Sequence, residues 1–448
     1  MACVVVTLAL LGIGCGGANS TPGAADAGDL PAADAGAPGA DATLPGPCAA
    51  GADGLDCLLA LVDEVSASCD TDRLADLRTS LTARAGTLPA WYQGEALFVS
   101  YDAAVAVAGA FNDWQTDTLV TASLCGSDIY LARTAIASGR YPYKVVRDGV
   151  WSTDPLNWGF AYDDYAGNPD GKNSVLNTYD SGLGHLVQPA ELLCSDELGN
   201  CRPLTTYLPP GYGAPANAGR RYPVVFMHDG QNIFDDTDCC FGHTGWEINV
   251  TLDSEIAAGR VEPVVVVGFD HGGAQRGDEY AYPAAVGGMQ ETFMQFQVDT
   301  VQPTAASYWR LDNSRYYVAG SSFGGLVSLT LAFKYPEVYV GAASLSGAFW
   351  PNQDENLAMR DIVAATGKVP VSLYLDHGGS AATGADGYAD NTDVRDLVVA
   401  AGWKRSDSPN CVMAADSLCY YHDEGATHDE LAWRARAYRF LRYFFAAQ

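Results

Sequence analysis

A strand followed directly by a tight glycine-rich turn and a helix is the feature that most constrains the fold of this chain. The apolar run SRYYVAG leads into Gly320-Ser321-Ser322-Phe323-Gly324, and LVSLTLAFKYP continues as a predicted helix. A turn this tight needs small residues around Ser322, and it raises that serine above the edge of a sheet at a helix N-terminus. The pattern predicts an α/β domain in which Ser322 is a nucleophile.

The residues on both sides of this turn alternate between strand and helix patterns. Apolar runs without a polar alternation are typical of parallel strands that helices cover on both faces. Such runs include PVVFMHDG, EPVVVVGFD, AASLSGAF, PVSLYLDHG and CYYHDEG. Residues 187–448 are therefore predicted to form one doubly wound α/β domain.

A histidine is expected C-terminal to Ser322, because a serine hydroxyl becomes nucleophilic only when a base removes its proton. Three histidines follow it in the chain. His428 is the preferred base, since it lies in a loop just before a helix that begins near Leu431. His422 is the alternative, and His377 ends a strand.

A carboxylate is expected between Ser322 and the histidine, after the strand PVSLYLDHG, and four aspartates compete there. Asp376 lies within the strand end, and Asp393 is expected to cap the next helix. Asp386 is therefore the preferred acid, with Asp390 second.

Acyl transfer also needs N–H donors aimed at the developing oxyanion. The first is expected from Phe323, directly after the nucleophile. The second is expected from the loop after the strand PVVF, where Gly230 and Gln231 are the candidates and Gln231 is preferred. His228 and Asp229 precede them, and each is interpreted as a hydrogen-bonded structural residue rather than a metal ligand.

A series of segments in this order resembles the esterase D and enterochelin-esterase-like branch of the α/β-hydrolases. The segments are MHDGQNIFDD, Gly245-Trp246-Glu247, Arg276-Gly277-Asp278-Glu279-Tyr280, GSSFGG, YLDHG and GATHDELAWRAR. The resemblance covers about residues 190–448 and implies ester hydrolysis through an acyl-enzyme, with Ser322, His428 and a carboxylate as the triad. It also implies Trp246 as a substrate-binding residue, and no cofactor or metal. Members include siderophore, feruloyl and acetylxylan esterases.

Short strand-like runs over residues 91–178 predict a small all-β, immunoglobulin-like sandwich before the α/β domain. The runs AGAFNDW and GRYPYKVVRDGVW resemble the early-set, glycogen-binding-like family. Some members of that family bind glucans, which makes Trp114 and Trp151 candidates for stacking on sugars, although packing in the core is the preferred interpretation. Residues 48–90 are predicted to form a small helical segment, with Asp70 and Thr71 suited to cap its second helix.

The chain opens with MACVVVTLALLGIGCGG, which predicts a signal peptide over residues 1–17. The segment LGIGC resembles a lipoprotein cleavage box and makes Cys15 a candidate for a lipid tether. Residues 18–47 are rich in Ala, Gly, Asp and Pro and predict a disordered linker. The expected location is secreted, periplasmic or anchored to the outer membrane of a bacterium.

Besides Cys3 and Cys15 the chain has ten cysteines, an even number that favours disulfides in an exported protein. Two pairs bracket short loops: Cys194 with Cys201, and Cys411 with Cys419. Four more, whose pairing stays open, are Cys48, Cys57, Cys69 and Cys125. Cys239 and Cys240, followed by His243, lack the second ligand pair that a structural zinc needs, so no metal site is predicted.

The net charge of −29 opposes binding to phosphate backbones and excludes nucleic acid as an expected partner. The predicted function is a secreted or lipid-anchored serine carboxylic ester hydrolase that acts on acetyl or feruloyl esters of polysaccharides. Two alternatives stay open: a siderophore esterase, to whose anionic substrate this charge is ill suited, and a catalytically silent carbohydrate-binding protein. The oligomeric state is open as well.

Overall fold

The computed structural model describes residues 54–163, 165, 167–168, 171–234 and 245–447. The predicted signal peptide, the linker and Cys15 lie outside these residues. None of the helices within the described ranges is long and apolar enough to cross a membrane.

The helices of the described part are α1 (Leu55–Ser68), α2 (Thr71–Thr82), α3 (Gly230–Ile233), α4 (Ile248–Ala257), α5 (Arg276–Tyr280), α6 (Gln290–Phe296), α7 (Gln302–Tyr308), α8 (Phe323–Lys334), α9 (Met359–Thr366), α10 (Tyr388–Ala401) and α11 (Glu430–Phe444). The strands in its N-terminal part are β1 (Ala90–Tyr92), β2 (Glu95–Tyr101), β3 (Ala106–Gly109), β4 (Ala122–Ser123), β5 (Ile129–Ala135), β6 (Arg140–Arg147), β7 (Val150–Ser152), β8 (Gly159–Tyr162), β9 (Lys172–Asn177) and β10 (His185–Val187). The later strands are β11 (Leu193–Ser195), β12 (Asn200–Arg202), β13 (Leu204–Leu208), β14 (Tyr222–His228), β15 (Val265–Phe269), β16 (Leu311–Ser321), β17 (Gly341–Leu345), β18 (Ser372–His377), β19 (Lys404–Ser406) and β20 (Ser417–His422).

The central sheet of the C-terminal region follows the order β19-β20-β18-β17-β16-β14-β15-β13-β10. The strands from β19 to β15 in this order are parallel, whereas β13 is antiparallel to both β15 and β10. Every residue of β14, β15, β17 and β18 is buried, because helices cover both faces. This arrangement confirms the predicted α/β-hydrolase fold.

Two apolar cores lie on the two faces of this sheet. One contains residues of α6, α8, α9 and α10, including Leu329 and Val398. The other contains residues of α4 and α11, including Leu252 and Phe440. Because parallel strands end at a common edge, residues that follow β16 and β18 come together there.

The β-rich N-terminal region contains two antiparallel sheets. One has the order β1-β2-β5-β4, and the strands β8-β9-β6-β3, with β7 on β6, continue the central sheet through β10. A shared core includes Phe98, Val107 and Tyr143. The strands over residues 91–178 are thus present, and the relation to the early-set family stays a prediction.

Trp114 and Trp151 are 38% and 42% exposed, and their ring centroids lie 6.4 Å apart. The preferred interpretation of both as core residues is therefore wrong. The three residues of the short strand β7, which includes Trp151, are all exposed. The pair forms an aromatic surface on the β-rich region.

The predicted helical segment is present as α1 and α2, which pack through Leu61 and Leu77 against Leu97 of β2. The carboxylate of Asp70 accepts hydrogen bonds at 3.0 Å from two backbone N–H groups of α2, which confirms it as the cap. The disulfides Cys194–Cys201 and Cys411–Cys419 are confirmed, and Cys69 pairs with Cys125.

Candidate active site

Ser322 stands alone between the end of β16 and the start of α8. Its φ of 55° and ψ of −124° place a residue with a side chain in sparsely populated conformational space. A Cβ on Gly320 would lie 2.6 Å from the carbonyl carbon of Gly324, so the turn closes only with glycine at that position. The local sequence thus forces the serine into a strained turn at a helix N-terminus.

His428 and Asp386 meet at the same edge of the sheet. The Nδ1 atom of His428 lies 2.5 Å from Oδ1 of Asp386. The aspartate side chain is fully buried, whereas the imidazole is partly exposed. His428 directly precedes Asp429, whose side chain caps α11 by accepting a hydrogen bond from Ala432 at 3.0 Å. The contact leaves Nε2 as the nitrogen that could receive a proton from a nucleophile.

The carboxylate of Asp386 is held in its charged form. Burial alone would raise its pKa, but hydrogen bonds from His428, Ser346 and the backbone N–H of Gly378 outweigh burial and lower the pKa below its ordinary value. The group therefore keeps a negative charge beside the imidazole at neutral pH.

The other three candidate acids have other surroundings or partners than His428. Asp376, at the end of β18, pairs with Arg436 at 2.9 Å. Asp390 accepts a hydrogen bond at 3.0 Å from a glutamine amide. Asp393 lies inside α10, so its predicted role as a cap is wrong, because the helix begins before it at Tyr388. Of the four aspartates, Asp386 is the one whose contacts within the described residues include His428.

The other two candidate bases form hydrogen bonds within the fold. The Nε2 atom of His377 lies 2.7 Å from the hydroxyl of Tyr420, and burial lowers the pKa of this imidazole to about 4. The Nε2 atom of His422 lies 3.0 Å from the carbonyl oxygen of Gly379. Both rings stack with centroids 4.8 Å apart. They are structural residues of the β18 and β20 ends.

Gly230 and Gln231 open the one-turn helix α3 at the end of β14. A Cβ on Gly230 would lie 2.7 Å from the backbone nitrogen of Phe269, so glycine allows this loop to press against β15. The first N–H groups of a helix have no acceptor within it, which applies to Gln231 in α3 and to Phe323 in α8. The Oε1 atom of Gln231 accepts a hydrogen bond at 3.4 Å from the backbone of His271.

An ion pair holds this loop close to the turn at Ser322. The guanidinium of Arg276 donates to both carboxylate oxygens of Asp229, at 2.7 and 2.8 Å, and lies 5.6 Å from the ring centroid of Phe323. Burial would raise the pKa of Asp229, but Arg276 outweighs burial and lowers it. The arginine thereby connects the loop after β14 to the first residue of α8.

His228 is a structural residue, as predicted. Its two ring nitrogens lie 2.9 Å from Oγ of Ser328 and 2.9 Å from Oε1 of Gln297, and burial lowers its pKa to about 4. Trp246 is also buried, with its ring 5.8 Å from that of Trp433. A side chain this buried offers little surface to a substrate, which does not fit the predicted substrate-binding role of Trp246.

Within the described ranges, no group of three or more His, Cys, Asp or Glu side chains is arranged to hold a metal ion. Cys239, Cys240 and His243 lie outside those ranges. The described site brings together a serine turn, an imidazole, a carboxylate and backbone N–H groups.

Residues 195–443, more than half of the chain, match a family described as "Putative esterase". The chain belongs to this esterase family. It is 28% identical over 199 residues to the uncharacterized protein YbbA from Bacillus subtilis (strain 168), which covers 42% of this chain and 72% of that protein.

Solved structures similar to this esterase include the enterobactin esterase from Shigella flexneri in the presence of enterobactin. That structure is 18% identical, covers 82% of this chain and 97% of its own, and has a TM-score of 0.45. The feruloyl esterase module from Clostridium thermocellum is 19% identical, covers 59% of this chain and 89% of its own, and has a TM-score of 0.42. The family match identifies the protein as a carboxylic ester hydrolase.

Sequence reasoning missed three side chains of this esterase that surround Asp386. Ser346 lies 2.7 Å from the carboxylate, and Trp433 and Arg436 contact Ser346. The spacing of Trp433 and Arg436 is a sequence signal for part of this group, because residues three apart lie on the same face of a helix.

Proposed function

We propose that this esterase hydrolyses its substrate through an acyl-enzyme on Ser322, with His428 as the base and Asp386 as the triad acid. The observation that carries the proposal is the 2.5 Å contact between Nδ1 of His428 and the buried carboxylate of Asp386. Ser322 lies at the same edge, because Ser321 on β16 pairs with Leu345, which in turn pairs with Asp376 at the end of β18.

In the first half of the reaction, Oγ of Ser322 attacks the ester carbonyl carbon while Nε2 of His428 takes the hydroxyl proton. The carboxylate of Asp386 stabilises the imidazolium that forms. Backbone N–H groups of Phe323 and Gln231 are the proposed donors to the carbonyl oxygen as it gains negative charge. The C–O bond to the alcohol then breaks, and the imidazolium gives its proton to the departing oxygen.

In the second half, a water molecule replaces the alcohol. The imidazole of His428 takes a proton from this water as the water oxygen attacks the acyl carbon, and the same donors stabilise the second oxyanion. Breaking of the bond to Ser322 releases the carboxylic acid, and the imidazolium returns its proton to the serine.

Aromatic side chains beside Ser322 support an ester with a flat aromatic group. The ring of Trp350 is 52% exposed, and its centroid lies 5.7 Å from that of Phe323. The backbone N–H of Ala348 donates to the carbonyl oxygen of Ser322 at 3.0 Å, so this segment adjoins the nucleophile. Stacking on such rings favours a feruloyl over an acetyl group. We therefore propose feruloyl-type esters of polysaccharides as the substrate class.

A siderophore esterase is the second candidate, because a catechol ring could use the same aromatic surface. Its anionic substrate would have to approach a chain with a net charge of −29, which disfavours association. Turnover of methyl ferulate, acetyl-xylan and a catecholate siderophore ester, measured side by side, separates the three substrates.

We also propose that the enzyme acts outside the cytoplasm. Three disulfides in the described residues are typical of proteins that fold in an oxidising compartment. If Cys15 carries a lipid, the wild-type protein sediments with membranes and Cys15→Ala does not. Equal partitioning of the two proteins would contradict the lipid tether.

The experiment that tests the proposed chemistry is hydrolysis of p-nitrophenyl acetate and methyl ferulate by wild type, Ser322→Ala and Ser321→Ala. We expect Ser322→Ala to abolish turnover, because the remaining groups contain no nucleophile at the tip of the turn. The neighbouring Ser321→Ala is the matched control and should retain activity. Retained turnover in Ser322→Ala would exclude the proposed nucleophile.

A further inference from the structure

Ser346 occupies a backbone position that suits glycine better than serine. It follows β17, is fully buried, and has a φ of 47°, in the left-handed region that side chains rarely adopt. Its N–H donates to the carbonyl oxygen of Asp376 at 2.7 Å. A strained serine in place of glycine points to a role for its hydroxyl.

The contacts of the Ser346 hydroxyl determine where its hydrogen points. A serine hydroxyl has two lone pairs and one hydrogen. Nε1 of Trp433, at 3.0 Å, and Nη2 of Arg436, at 2.6 Å, both contact Oγ of Ser346, and these groups can only donate. Both lone pairs are therefore occupied, and the hydroxyl hydrogen points to Oδ2 of Asp386, 2.7 Å away.

The carboxylate of Asp386 is also held by its hydrogen bonds. Its Oδ2 atom receives hydrogen bonds from Ser346 and from the backbone N–H of Gly378. The carboxylate thus presents Oδ1 to Nδ1 of His428. We infer that Ser346 is a positioning residue that holds Asp386 in the orientation required by His428, and that Trp433 and Arg436 set its direction. This inference rests on the proposed triad.

Asp376 supplies the anchor for Arg436. Its Oδ1 atom accepts from Nε of Arg436 at 2.9 Å, and its Oδ2 atom accepts from the hydroxyl of Tyr374 at 2.8 Å. The side chains of Asp376 and Arg436 are buried, and the partly exposed Asp423 lies 3.9 Å from the guanidinium. The aspartate that lies within the strand end thus acts on the triad through Arg436 and Ser346.

Charge balance in this buried cluster favours the same role. Asp376, Asp386 and the partly exposed Asp423 contribute three negative charges, and Arg436 contributes one positive charge. The cluster therefore carries a net negative charge beside His428. A fixed hydrogen-bond network with a net negative charge stabilises the imidazolium of the transition state more than the neutral imidazole of the ground state.

The test compares Ser346→Ala with Ser346→Gly, because both remove the hydroxyl but only glycine relieves the backbone strain. We expect kcat to fall about 10-fold to 100-fold in both variants, with KM changed less than about twofold, as is typical when a partner of a catalytic group is lost. We also expect Ser346→Gly to melt at a higher temperature than Ser346→Ala. Equal losses of kcat at unequal melting temperatures are the signature of a positioning role.

Ser372→Ala is the matched control. Ser372 is another buried serine, on β18, whose hydroxyl donates to the carbonyl oxygen of Ala414 at 2.9 Å rather than to the site. We expect its kcat to stay within about twofold of wild type.

The outcomes separate the inference from the proposed function. Two outcomes would overturn the role of Ser346 and leave the proposed nucleophile intact. In the first, the loss of kcat in the two Ser346 variants follows their loss of melting temperature. In the second, both variants keep the kcat of wild type while Ser322→Ala is inactive. Full activity of Ser322→Ala would instead remove the proposed function itself.

Discussion

Two aspartate–arginine pairs flank Ser322, and they differ in access to solvent. The pair Asp376–Arg436 lies on the side of the proposed base, with side chains 0% and 2% exposed. The pair Asp229–Arg276 lies on the side of the proposed oxyanion donors, with side chains 6% and 25% exposed. The first contacts the surroundings of the proposed triad from inside the core, whereas the second holds a loop at the edge of the sheet.

The two carboxylates respond to these surroundings in opposite directions. Burial raises the pKa of Asp376, and the nearby charge of Asp386 adds to the rise, against the effect of Arg436. Burial also acts on Asp229, but Arg276 and the neighbouring histidines lower its pKa below the ordinary value. The cost of keeping the carboxylate charged therefore differs between the two ion pairs on either side of Ser322.

The largest expected effect is on catalysis, at the carboxylate of Asp386, which lies on the side of the buried Asp376–Arg436 pair. Asp386→Asn should lower kcat by about 10²-fold to 10⁴-fold, since an amide neither fixes the imidazole nor balances the imidazolium. Asp390→Asn is the matched control and should stay close to wild type, because its contact is to a glutamine amide. Steady-state kinetics with a p-nitrophenyl ester measures both, and the reverse ranking would reassign the acid.

The next effect is on stability and compares the two arginines directly. Arg436→Met leaves two buried carboxylates without their cation, and the free energy of unfolding should fall by about 3–5 kcal/mol. Arg276→Met should cost about 1–3 kcal/mol, because water can reach its site. Urea unfolding curves give both values. Equal losses of unfolding free energy in the two variants would mean that the different exposure of the two ion pairs does not affect stability.

The smallest effect is on the pH dependence of stability. The pKa of Asp229 is lowered in the folded state, so this carboxylate stabilises the fold above pH 3.8, and that stabilisation is lost as the pH falls further. The loss of stability caused by Asp229→Asn should therefore become smaller in acid. The pKa of Asp376 is raised, so the folded state binds the extra proton first, and wild type gains stability as pH falls towards 3.8. The difference in melting temperature between wild type and Asp376→Asn should therefore become larger as the pH falls. Melting temperatures between pH 7 and 3 measure both, and parallel curves would contradict the opposite pKa directions.

The local parts of this molecule could be predicted from sequence. The turn at Ser322 follows from its glycines, and the disulfides Cys194–Cys201 and Cys411–Cys419 follow from short loops. Chain order and loop position predict His428 and Asp386, and the structure brings the two side chains into contact.

The supporting network could not be predicted, because it depends on contacts between distant parts of the chain. Arg436 and Asp376 are 60 residues apart, and Arg276 and Asp229 are 47 residues apart. The role of Ser346 depends on a backbone angle that no residue pattern specifies. The exposure of Trp114 and Trp151 depends on which strands stay at the edge of the β-rich region, and sequence alternation does not determine that.

The most direct test of the account is labelling with a fluorophosphonate, which reacts with an activated serine, followed by intact-protein mass and peptide mapping. Wild type should gain one adduct, on the peptide that contains Ser322, and Ser322→Ala should gain none. Asp386→Asn should react more slowly at the same site. An adduct on another residue, or equal labelling of wild type and Ser322→Ala, would contradict Ser322 as the nucleophile.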